Sequence, residues 1–275
     1  MKAPSLPRIE EEITDITSVS QLNSNSCALL RRIDFKKGDH TKKPLKLTKI
    51  TFIKCLFSRE HIQDLTFEDC RFEDCQFVGT KIIECKFHRC TFVDCNFFKA
   101  FLSRTYIDPT LFRFNSKWRK YWPNVNTSWF QNLYRNAMDQ HQEEFARAAD
   151  KKFLFYKRYE HLNGKNRNTV KFLRGFLYDW ILGYGYGILN SLIVTLALLI
   201  SFAILMLGQA QSNSRTHLDF IEMIYFSIVS FTTVGYGEIT PIHETFALSI
   251  TIAFLFLSVA WGAIVTAVIV KRLVR

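Results

Sequence analysis

A large apolar residue recurs at every fifth position between residues 52 and 102, and a smaller residue, most often cysteine, stands two positions before it. A period of five fits neither an α-helix nor a plain strand. A fixed period instead indicates a solenoid, in which stacked coils bury one column of side chains. The large residues are Phe52, Phe57, Ile62, Phe67, Phe72, Phe77, Ile82, Phe87, Phe92, Phe97 and Leu102.

This pattern resembles the pentapeptide-repeat proteins, whose chain winds into a right-handed quadrilateral β-helix with four repeats per coil. The resemblance implies slightly under three coils over residues 50–104. Six of the seven cysteines occupy the smaller column, where a reduced thiol acts as a compact hydrophobe and suits a cytosolic compartment. Their spacing of five differs from that of zinc ligands, which argues against metal binding.

Two stretches in the last third of the chain, residues 188–207 and 246–270, contain no charged residue. Each is long enough to cross about 30 Å of hydrocarbon as a helix. Residues 218–232 between them are too apolar for a solvated loop and too short to span, which predicts a re-entrant pore helix. Asp219 and Glu222 lie in its first turn, where the helix dipole favours carboxylates. Two buried helices of a soluble protein are a poor alternative, because such charge-free runs are rare in soluble cores.

Residues 233–237 follow the predicted pore helix and read TVGYG. The two glycines reach positive φ at no steric cost, so carbonyl oxygens of such a ribbon can turn toward one axis. With its flanking spans, this segment resembles the selectivity filter of two-transmembrane potassium channels, in which carbonyl rings replace the hydration shell of the ion. The resemblance covers residues 188–270 and implies a homotetramer around a central pore. It implies no cofactor, with K⁺ as the permeant ion at the carbonyls of Thr233, Val234, Gly235 and Tyr236 and with Gly237 at the outer mouth.

The chain departs from that family at several positions. Glu238 follows the filter where most members carry aspartate, and Tyr225 stands where the pore helix usually holds tryptophan. We expect both, with Thr232, to support the filter. Gly262 is the only glycine of the second span, and it is either a gating hinge or a site of close helix packing. A second Gly-Tyr-Gly at 183–187 lacks the preceding Thr-Val and is interpreted as a flexible joint.

The rest of the sequence completes the predicted order of domains. Asn126 to Trp129 are expected to cap a helix, with a break near Gln140 to Gln142. The predicted segments are a flexible N-terminus at 1–28, a hairpin cap of the solenoid at 29–49, the pentapeptide-repeat β-helix at 50–104, a linker turn at 105–125, a helical linker at 126–164, an interfacial amphipathic helix at 168–182 and the pore domain at 183–275.

The net charge of +11 is distributed unevenly around the two spans. By the positive-inside rule both termini are cytoplasmic, which predicts a multi-pass protein of the inner (plasma) membrane. Anionic lipid headgroups explain the basic residues better than nucleic acid does, since no aromatic recognition motif accompanies them. The cations concerned are Lys165, Arg167, Lys171 and Arg174 before the first span and Lys271, Arg272 and Arg275 after the second, against Arg215 alone in the outer loops.

We expect no enzymatic activity, because the seven histidines are scattered and no phosphate loop or nucleophile motif occurs. The sequence predicts a potassium-selective homotetrameric channel in contact with membrane lipids, whose cytoplasmic solenoid serves assembly or gating. Two alternatives remain open. One is a weakly selective cation channel that passes sodium nearly as well as potassium. The other is a membrane-anchored adaptor with a silent pore, whose solenoid binds a cytosolic protein or ligand.

Overall fold

The structure is a computed structural model that describes residues 45–164, 167–212 and 218–273. The chain divides into two compact units, Met1–Gly175 and Phe176–Arg275. The described part of the first unit holds a β-solenoid of about three turns followed by helices. The second holds the two helices that are long and apolar enough to cross a membrane.

Short parallel strands build the solenoid, and each pairs with the strand twenty residues further along the chain, as Phe52 does with Phe72 and Ile62 with Ile82. One coil therefore contains four five-residue repeats, as predicted. The strands are β1 (Leu45–Thr48), β2 (Thr51–Ile53), β3 (His61–Gln63), β4 (Leu65–Glu68), β5 (Arg71–Glu73), β6 (Lys81–Ile83), β7 (Lys86–His88), β8 (Thr91–Val93), β9 (Phe101–Ser103), β10 (Tyr106–Ile107) and β11 (Phe112–Arg113).

The strands form the faces of a four-sided coil. The first face contains β1, β4, β7 and β10, the second contains β2, β5, β8 and β11, and the third contains β3, β6 and β9. Single bridges from Leu56 to Gln76 and from Gln76 to Asn96 mark the fourth face. A solenoid of this kind buries one side-chain column per face, because each residue lies above its counterpart in the next coil.

The large apolar residue of each repeat points into the solenoid, which confirms the predicted core. Phe72, for example, is 1% exposed. Its ring stacks on those of Phe52 and Phe92, with centroids 4.8 Å apart in both pairs. Neighbouring phenylalanines within a coil meet edge to face, as Phe72 and Phe77 do at 5.9 Å. Such aromatic pairs add to the free energy gained from burial alone.

The smaller residue of each repeat is also buried, and here cysteine and threonine have a specific advantage. The Cys75 Sγ donates to the Phe52 carbonyl at 3.3 Å, and the Thr80 Oγ1 donates to the Phe57 carbonyl at 2.6 Å. Both acceptors lie 23 residues earlier in the chain, in the adjacent coil. Burial raises the pKa of the Cys85 thiol to about 11. The cysteines at 55, 70, 75, 85, 90 and 95 are buried free thiols.

Each corner of the solenoid contains a residue in the left-handed region, two positions after the large apolar residue. At twelve described positions, five residues apart, φ lies between +47° and +69°. Only one of the twelve, Gly79, is a glycine. A non-glycine residue there costs about 1 kcal/mol or more. The others are Lys49, Lys54, Arg59, Asp64, Asp69, Asp74, Glu84, Arg89, Asp94, Lys99 and Arg104.

The solenoid extends beyond the predicted range of 50–104 at both ends. At the start, β1 is already paired in parallel with β4, so residues 45–48 of the predicted hairpin are solenoid. The remainder of that hairpin, 29–44, and the predicted flexible N-terminus, 1–28, lie outside the described residues. At the other end, β10 and β11 continue two faces through Arg113. The range 105–125, predicted as a linker turn, therefore supplies the final strands and the first helix.

Three helices follow the solenoid: α1 (Ser116–Tyr121), α2 (Pro123–Asp139) and α3 (Glu143–Asn163). The break between α2 and α3 falls at Gln140 to Gln142, where it was predicted. The predicted cap at Asn126–Trp129 is wrong, because α2 starts at Pro123 and Trp122 precedes it. Proline suits the first helical position, since its fixed φ is helical and its missing N–H would have had no partner there.

The helices α2 and α3 close the carboxyl-terminal end of the solenoid. Trp129 of α2 is fully buried and stacks on Phe97, with ring centroids 4.0 Å apart. The Asn136 side chain accepts from the Thr105 N–H at 3.0 Å and donates to the Thr105 carbonyl at 2.7 Å. The Lys152 ammonium of α3 donates to the carbonyls of Pro109 and Phe112 at 2.8 and 2.9 Å. Backbone groups at the end of the ladder thus gain the partners that burial requires.

Helix α4 (Thr169–Leu182) follows. Within the first unit its beginning is packed against α3, where the Arg158 guanidinium lies 6.0 Å from the ring centroid of Phe172. Beyond α4, Gly183, Tyr184 and Gly185 all have positive φ within a short 3₁₀ turn. The second unit then continues with α5 (Ile188–Leu205), β12 (Ala210–Ser212), α6 (Phe220–Phe231), β13 (Ile239–Pro241) and α7 (Thr245–Leu273).

Candidate functional site

The two long helices α5 and α7 flank the candidate site. Their segments Ile188–Leu205 and Thr245–Val270 have mean hydropathies of 2.5 and 2.4, and only 17% and 22% of the most apolar windows are buried. A core helix of a soluble protein would be mostly covered, so the exposure of these apolar side chains favours lipid or another protein chain as their surroundings. Both helices agree closely with the predicted spans.

Inside the second unit, aromatic rings and one indole hydrogen bond hold the helices together. Phe202 of α5 stacks on Phe254 of α7, with centroids 3.8 Å apart. The Trp261 Nε1 of α7 donates to the Thr195 Oγ1 of α5 at 2.8 Å. The sequence analysis did not identify this bond, although a polar threonine and a tryptophan in two otherwise apolar helices are a usable signal for such a pair.

The short helix α6 is the predicted pore helix. It begins after Asp219, whose N–H donates to the Glu222 carboxylate at 2.8 Å, and the two acidic residues form a capping box. Its buried residues pack against α5, and the Ser227 Oγ donates to the Leu199 carbonyl at 2.8 Å. The helix ends at Phe231, and Thr232 alone separates it from the filter segment, which we define as Thr233–Gly237. Because helix dipoles are negative at the carboxyl end, that end favours a cation.

Residues with positive φ alternate with residues without it along the filter segment. Thr233, Gly235 and Gly237 have φ of +59°, +55° and +87°, and the intervening Val234 and Tyr236 do not have positive φ. Such alternation turns successive carbonyl groups toward one side of the chain. Thr233 is β-branched, and in the left-handed region that is a strained conformation of the kind found at functional sites.

The start of the filter segment is bonded to the last turn of α6. The Thr233 N–H donates to the Ser230 carbonyl at 3.2 Å and the Val234 N–H donates to the Val229 carbonyl at 3.1 Å. Thr232, predicted as filter support, donates its hydroxyl to the Ile228 carbonyl at 2.8 Å. The Thr232 hydroxyl therefore provides a hydrogen bond to a backbone carbonyl in the last turn of α6.

The structure brings two other predicted residues together, because the Tyr225 hydroxyl donates to the Glu238 carboxylate. Tyr225 lies in the middle of α6, and Glu238 follows the filter segment directly. A small pocket separates helix and filter at this point, lined by Tyr225, Phe226, Val229, Ser230, Gly235, Gly237, Glu238 and Ile239. A phenol and a carboxylate can thus span the gap that the pocket leaves between α6 and the filter segment.

The side chains of the filter segment are uncovered in a single chain. Val234 is 51% and Tyr236 is 72% exposed. An added Cβ at Gly235 or Gly237 would meet no atom within 4 Å. A single chain therefore leaves at least half of the Val234 and Tyr236 side chains uncovered.

The candidate hinge Gly262 lies within α7, which runs without interruption from Thr245 to Leu273. A Cβ at Gly262 would meet no atom within 4 Å, so this glycine does not permit close packing inside the described part of one chain. The Thr266 hydroxyl donates to the Gly262 carbonyl at 2.9 Å. The hinge remains a prediction.

Sequence reasoning missed a strand pair beside the filter segment. β12 and β13 are antiparallel, with Ala210 opposite Pro241, Gln211 opposite Thr240 and Ser212 opposite Ile239. Three-residue strands carry no measurable alternation, and β12 contains no β-branched residue. Pro241 was an unfavourable sign, because proline is tolerated only where no ladder hydrogen bond is required.

Several residues used in the orientation argument lie outside the described part of the chain, namely Lys165, Arg215, Val274 and Arg275; the side chains of Lys271 and Arg272 are likewise not described. The described cations Arg167, Lys171 and Arg174 are all in or next to α4. On the same helix, Val170 is 75% and Trp180 is 66% exposed. A helix that exposes both large apolar and basic side chains is typical of a membrane surface.

Comparison with protein families places the geometry in context. Residues 192–275 match a family model described as an ion channel. The match begins within α5 and contains α6, the filter segment and α7. A search of curated proteins found no significant match. The carboxyl-terminal part of the chain is therefore similar to ion channels, and its two apolar helices indicate a membrane protein.

Proposed function

We propose that this chain forms a potassium-selective channel in which four copies place their filter segments around one axis. The observation that carries the proposal is the filter segment itself. Its left-handed residues alternate along the chain, and it follows a capped short helix between two apolar helices. Carbonyl rings made from four such ribbons can replace the hydration shell of K⁺.

The exposure of the filter segment supports an assembly of several copies. A backbone strained at Thr233 needs surrounding structure to hold it in place, yet the side chain of Tyr236 is 72% exposed in one chain. Neighbouring copies can supply that packing in a closed cyclic arrangement. Exposed α7 residues such as Phe256, 78% exposed, are available to contact lipid or other copies.

Selectivity for K⁺ over Na⁺ depends on how firmly the carbonyl oxygens are held. The bonds from Thr233 and Val234 to α6 hold the inner end of the filter segment. The contact between Tyr225 and Glu238 holds its outer end. A looser filter would accommodate Na⁺ as well. A measurement of selectivity therefore distinguishes the proposed potassium channel from the alternative, a weakly selective cation channel.

The membrane arrangement follows from the same features. We place the protein in the inner (plasma) membrane with both termini cytoplasmic, since basic residues cluster before α5 and after α7. In this arrangement α4 lies against anionic lipid and the solenoid is cytosolic, where its thiols remain reduced. The solenoid then serves assembly or gating of the channel.

The experiment is a K⁺ flux assay on the purified full-length protein in liposomes, with two matched glycine variants. Gly235→Ala places a side chain at φ +55° in the filter segment, and Gly79→Ala does the same at φ +69° in the solenoid. Within one chain neither alanine meets an atom closer than 3.8 Å, so there the two substitutions differ in location and not in steric fit. A left-handed alanine costs about 1–2 kcal/mol in each copy, and we expect K⁺ flux to fall by about tenfold or more with Gly235→Ala.

We expect wild-type flux from Gly79→Ala. Equal flux from the two variants would contradict the proposed role of the filter segment. Absence of flux from the wild-type protein, together with retained binding of a cytosolic protein or ligand by the solenoid, would favour the membrane-anchored adaptor.

A further inference from the structure

The strand pair β12–β13 has a hydrogen-bonding pattern that can be deduced from one bond outside it. The Ile242 N–H donates to the Gln209 carbonyl at 2.9 Å, which makes these two residues a bonded pair. Bonded and non-bonded pairs alternate along an antiparallel ladder. The next pair, Ala210 and Pro241, is therefore non-bonded and tolerates the missing N–H of proline. Gln211 and Thr240 are bonded, and Ser212 and Ile239 are not.

One side of this ladder is anchored in the interior of the second unit. β12 follows the end of α5 through a tight turn that includes Gly208, with φ +71°. Met206 before the turn and Ala210 after it are 0% and 3% exposed. Both belong to an apolar cluster that also contains Phe202, Met223, Phe226, Ala247 and Phe254. β12 is thus attached to the packed contacts among α5, α6 and α7.

The other side of the ladder leads directly into the filter segment. β13 begins at Ile239, and Glu238 alone separates it from Gly237. Gly237 has φ +87°, and as a glycine it has the widest conformational freedom of any residue. A glycine at the outer end of a carbonyl ribbon holds its position only if the residues after it are fixed.

We propose that the strand pair β12–β13 is a positioning element for the outer end of the filter segment. Glu238 is bonded to α6 through Tyr225, and β13 is bonded to a strand that follows α5. These two attachments hold the adjacent residues Glu238 and Ile239, and they lead back to two different helices, α6 and α5. Together they fix the direction in which the chain leaves Gly237. This inference rests on the proposed function of the filter segment, since it concerns what holds that segment in its conducting conformation.

A pair of proline variants tests the ladder without altering any side chain of the filter segment. Gln211→Pro removes an N–H of a bonded pair, whereas Ser212→Pro removes an N–H that points away from β13. Both positions are in extended strand, so the restriction of φ is similar. We expect the flux of Gln211→Pro to decline about fivefold faster than that of Ser212→Pro after external K⁺ is lowered, the factor that one net hydrogen bond supplies.

A reversible crosslink strengthens the strand pair β12–β13, whereas Gln211→Pro weakens it. Ser212→Cys with Ile239→Cys joins a non-bonded pair, whose Cα atoms lie about 4.5 Å apart in antiparallel sheets, within the range of a disulfide. The crosslink is made in a Cys27→Ser background, and the solenoid cysteines at 55, 70, 75, 85, 90 and 95 are buried, so external oxidant acts on the new pair. Flux should decline more slowly in the oxidised protein than in the same protein after reduction.

Hydrogen exchange of the amides at 234–240, followed in K⁺ on the same full-length proteins, measures positioning independently of conduction. Faster exchange in Gln211→Pro than in Ser212→Pro, with slower exchange in the oxidised crosslinked protein, supports the proposal. Equal exchange in both comparisons overturns it. If exchange follows this order but the wild-type protein carries no flux, the positioning role stands and the proposed channel function fails.

Discussion

The solenoid and the filter segment both depend on residues in the left-handed region, but they hold those residues in different ways. The solenoid has one at every corner, and among the twelve described positions only Gly79 is a glycine. The filter segment has three in five residues, and two of these are glycines. A strained conformation is therefore common in both units, and what differs is the structure that stabilises it.

In the solenoid nine of the twelve described corner residues donate their N–H to a carbonyl of the next coil in the same chain. The Asp69 N–H donates to the His88 carbonyl and the Asp74 N–H to the Val93 carbonyl, both at 3.0 Å. These bonds and the buried phenylalanine beneath offset the cost of the left-handed corner. The filter segment is stabilised by its own chain on the α6 side, and Tyr236 is largely exposed. The solenoid is thus complete within one chain, and our proposal assigns the missing contacts of the filter to three other copies.

We expect the largest effect when a central ring of the solenoid is removed. Phe72→Ala deletes a side chain that stacks on two rings at 4.8 Å, and we expect a loss of about 3–5 kcal/mol of unfolding free energy. Hydrogen exchange of the solenoid amides in detergent-solubilised protein measures it. Phe101→Ala, at a residue 51% exposed, is the control and should change exchange little. Similar effects of the two variants would show that the ring column is not the core of the solenoid.

The closure of the solenoid by α2 gives a smaller effect. Asn136→Leu leaves the Thr105 N–H buried without its acceptor, while the Thr105 carbonyl keeps its bond from the Gln140 amide at 2.9 Å. One unsatisfied buried donor costs about 1–3 kcal/mol, and exchange of the amides in the last coil should accelerate accordingly. Arg135→Leu, on the exposed side of the same helix turn, serves as the control. Unchanged exchange at residues 101–113 in Asn136→Leu would exclude α2 as a cap.

Lys152 makes the stability of the solenoid end depend on pH. Burial lowers the pKa of Lys152 to about 8, against about 10.5 in an unfolded chain, and nearby Asp108 partly opposes the shift. Between those values the unfolded chain binds more protons than the folded one, so stability rises with pH. We expect this gain in the free energy of unfolding between about pH 8 and pH 10.5. In Lys152→Met that gain should be absent, whereas an equal pH dependence in both proteins would assign it to other groups.

The smallest expected effect concerns the contact between Tyr225 and Glu238. A double-mutant cycle of Tyr225→Phe and Glu238→Ala isolates their interaction from the effect of each side chain alone. We expect a coupling free energy of about 1 kcal/mol, measured from the rates at which flux declines when external K⁺ is lowered. Additive effects of the two substitutions would mean that the hydrogen bond does not support the filter segment.

The strongest repetition in the sequence was the most informative about the fold. The column from Phe52 to Leu102 predicts a solenoid, because a period of five fits neither a helix nor a plain strand, and the resemblance to pentapeptide-repeat proteins implies a coil of twenty residues. The corners could not be predicted from composition, since lysine, aspartate, arginine and glutamate occupy left-handed positions where glycine would be the expected residue. Their conformation is imposed by stacking between coils, which is a long-range effect.

The candidate site was predictable where local chemistry determines the structure. Asp219 and Glu222 mark the start of α6, and the span lengths locate α5 and α7. The pair β12–β13 depends on contacts between residues about thirty positions apart in sequence and has no local pattern. The role of α2 as a cap could not be predicted from the sequence either, because Trp129 and Asn136 occur in an ordinary amphipathic pattern. Their partners are the end of the solenoid, which the sequence alone does not place.

The most direct test of the account is the reversal potential of the reconstituted wild-type protein under opposed K⁺ and Na⁺ gradients. If four filter segments surround one axis with their carbonyl oxygens held in place, the reversal potential lies close to the equilibrium potential of K⁺. A reversal potential near zero would mean that Na⁺ passes nearly as well and would contradict the proposed filter.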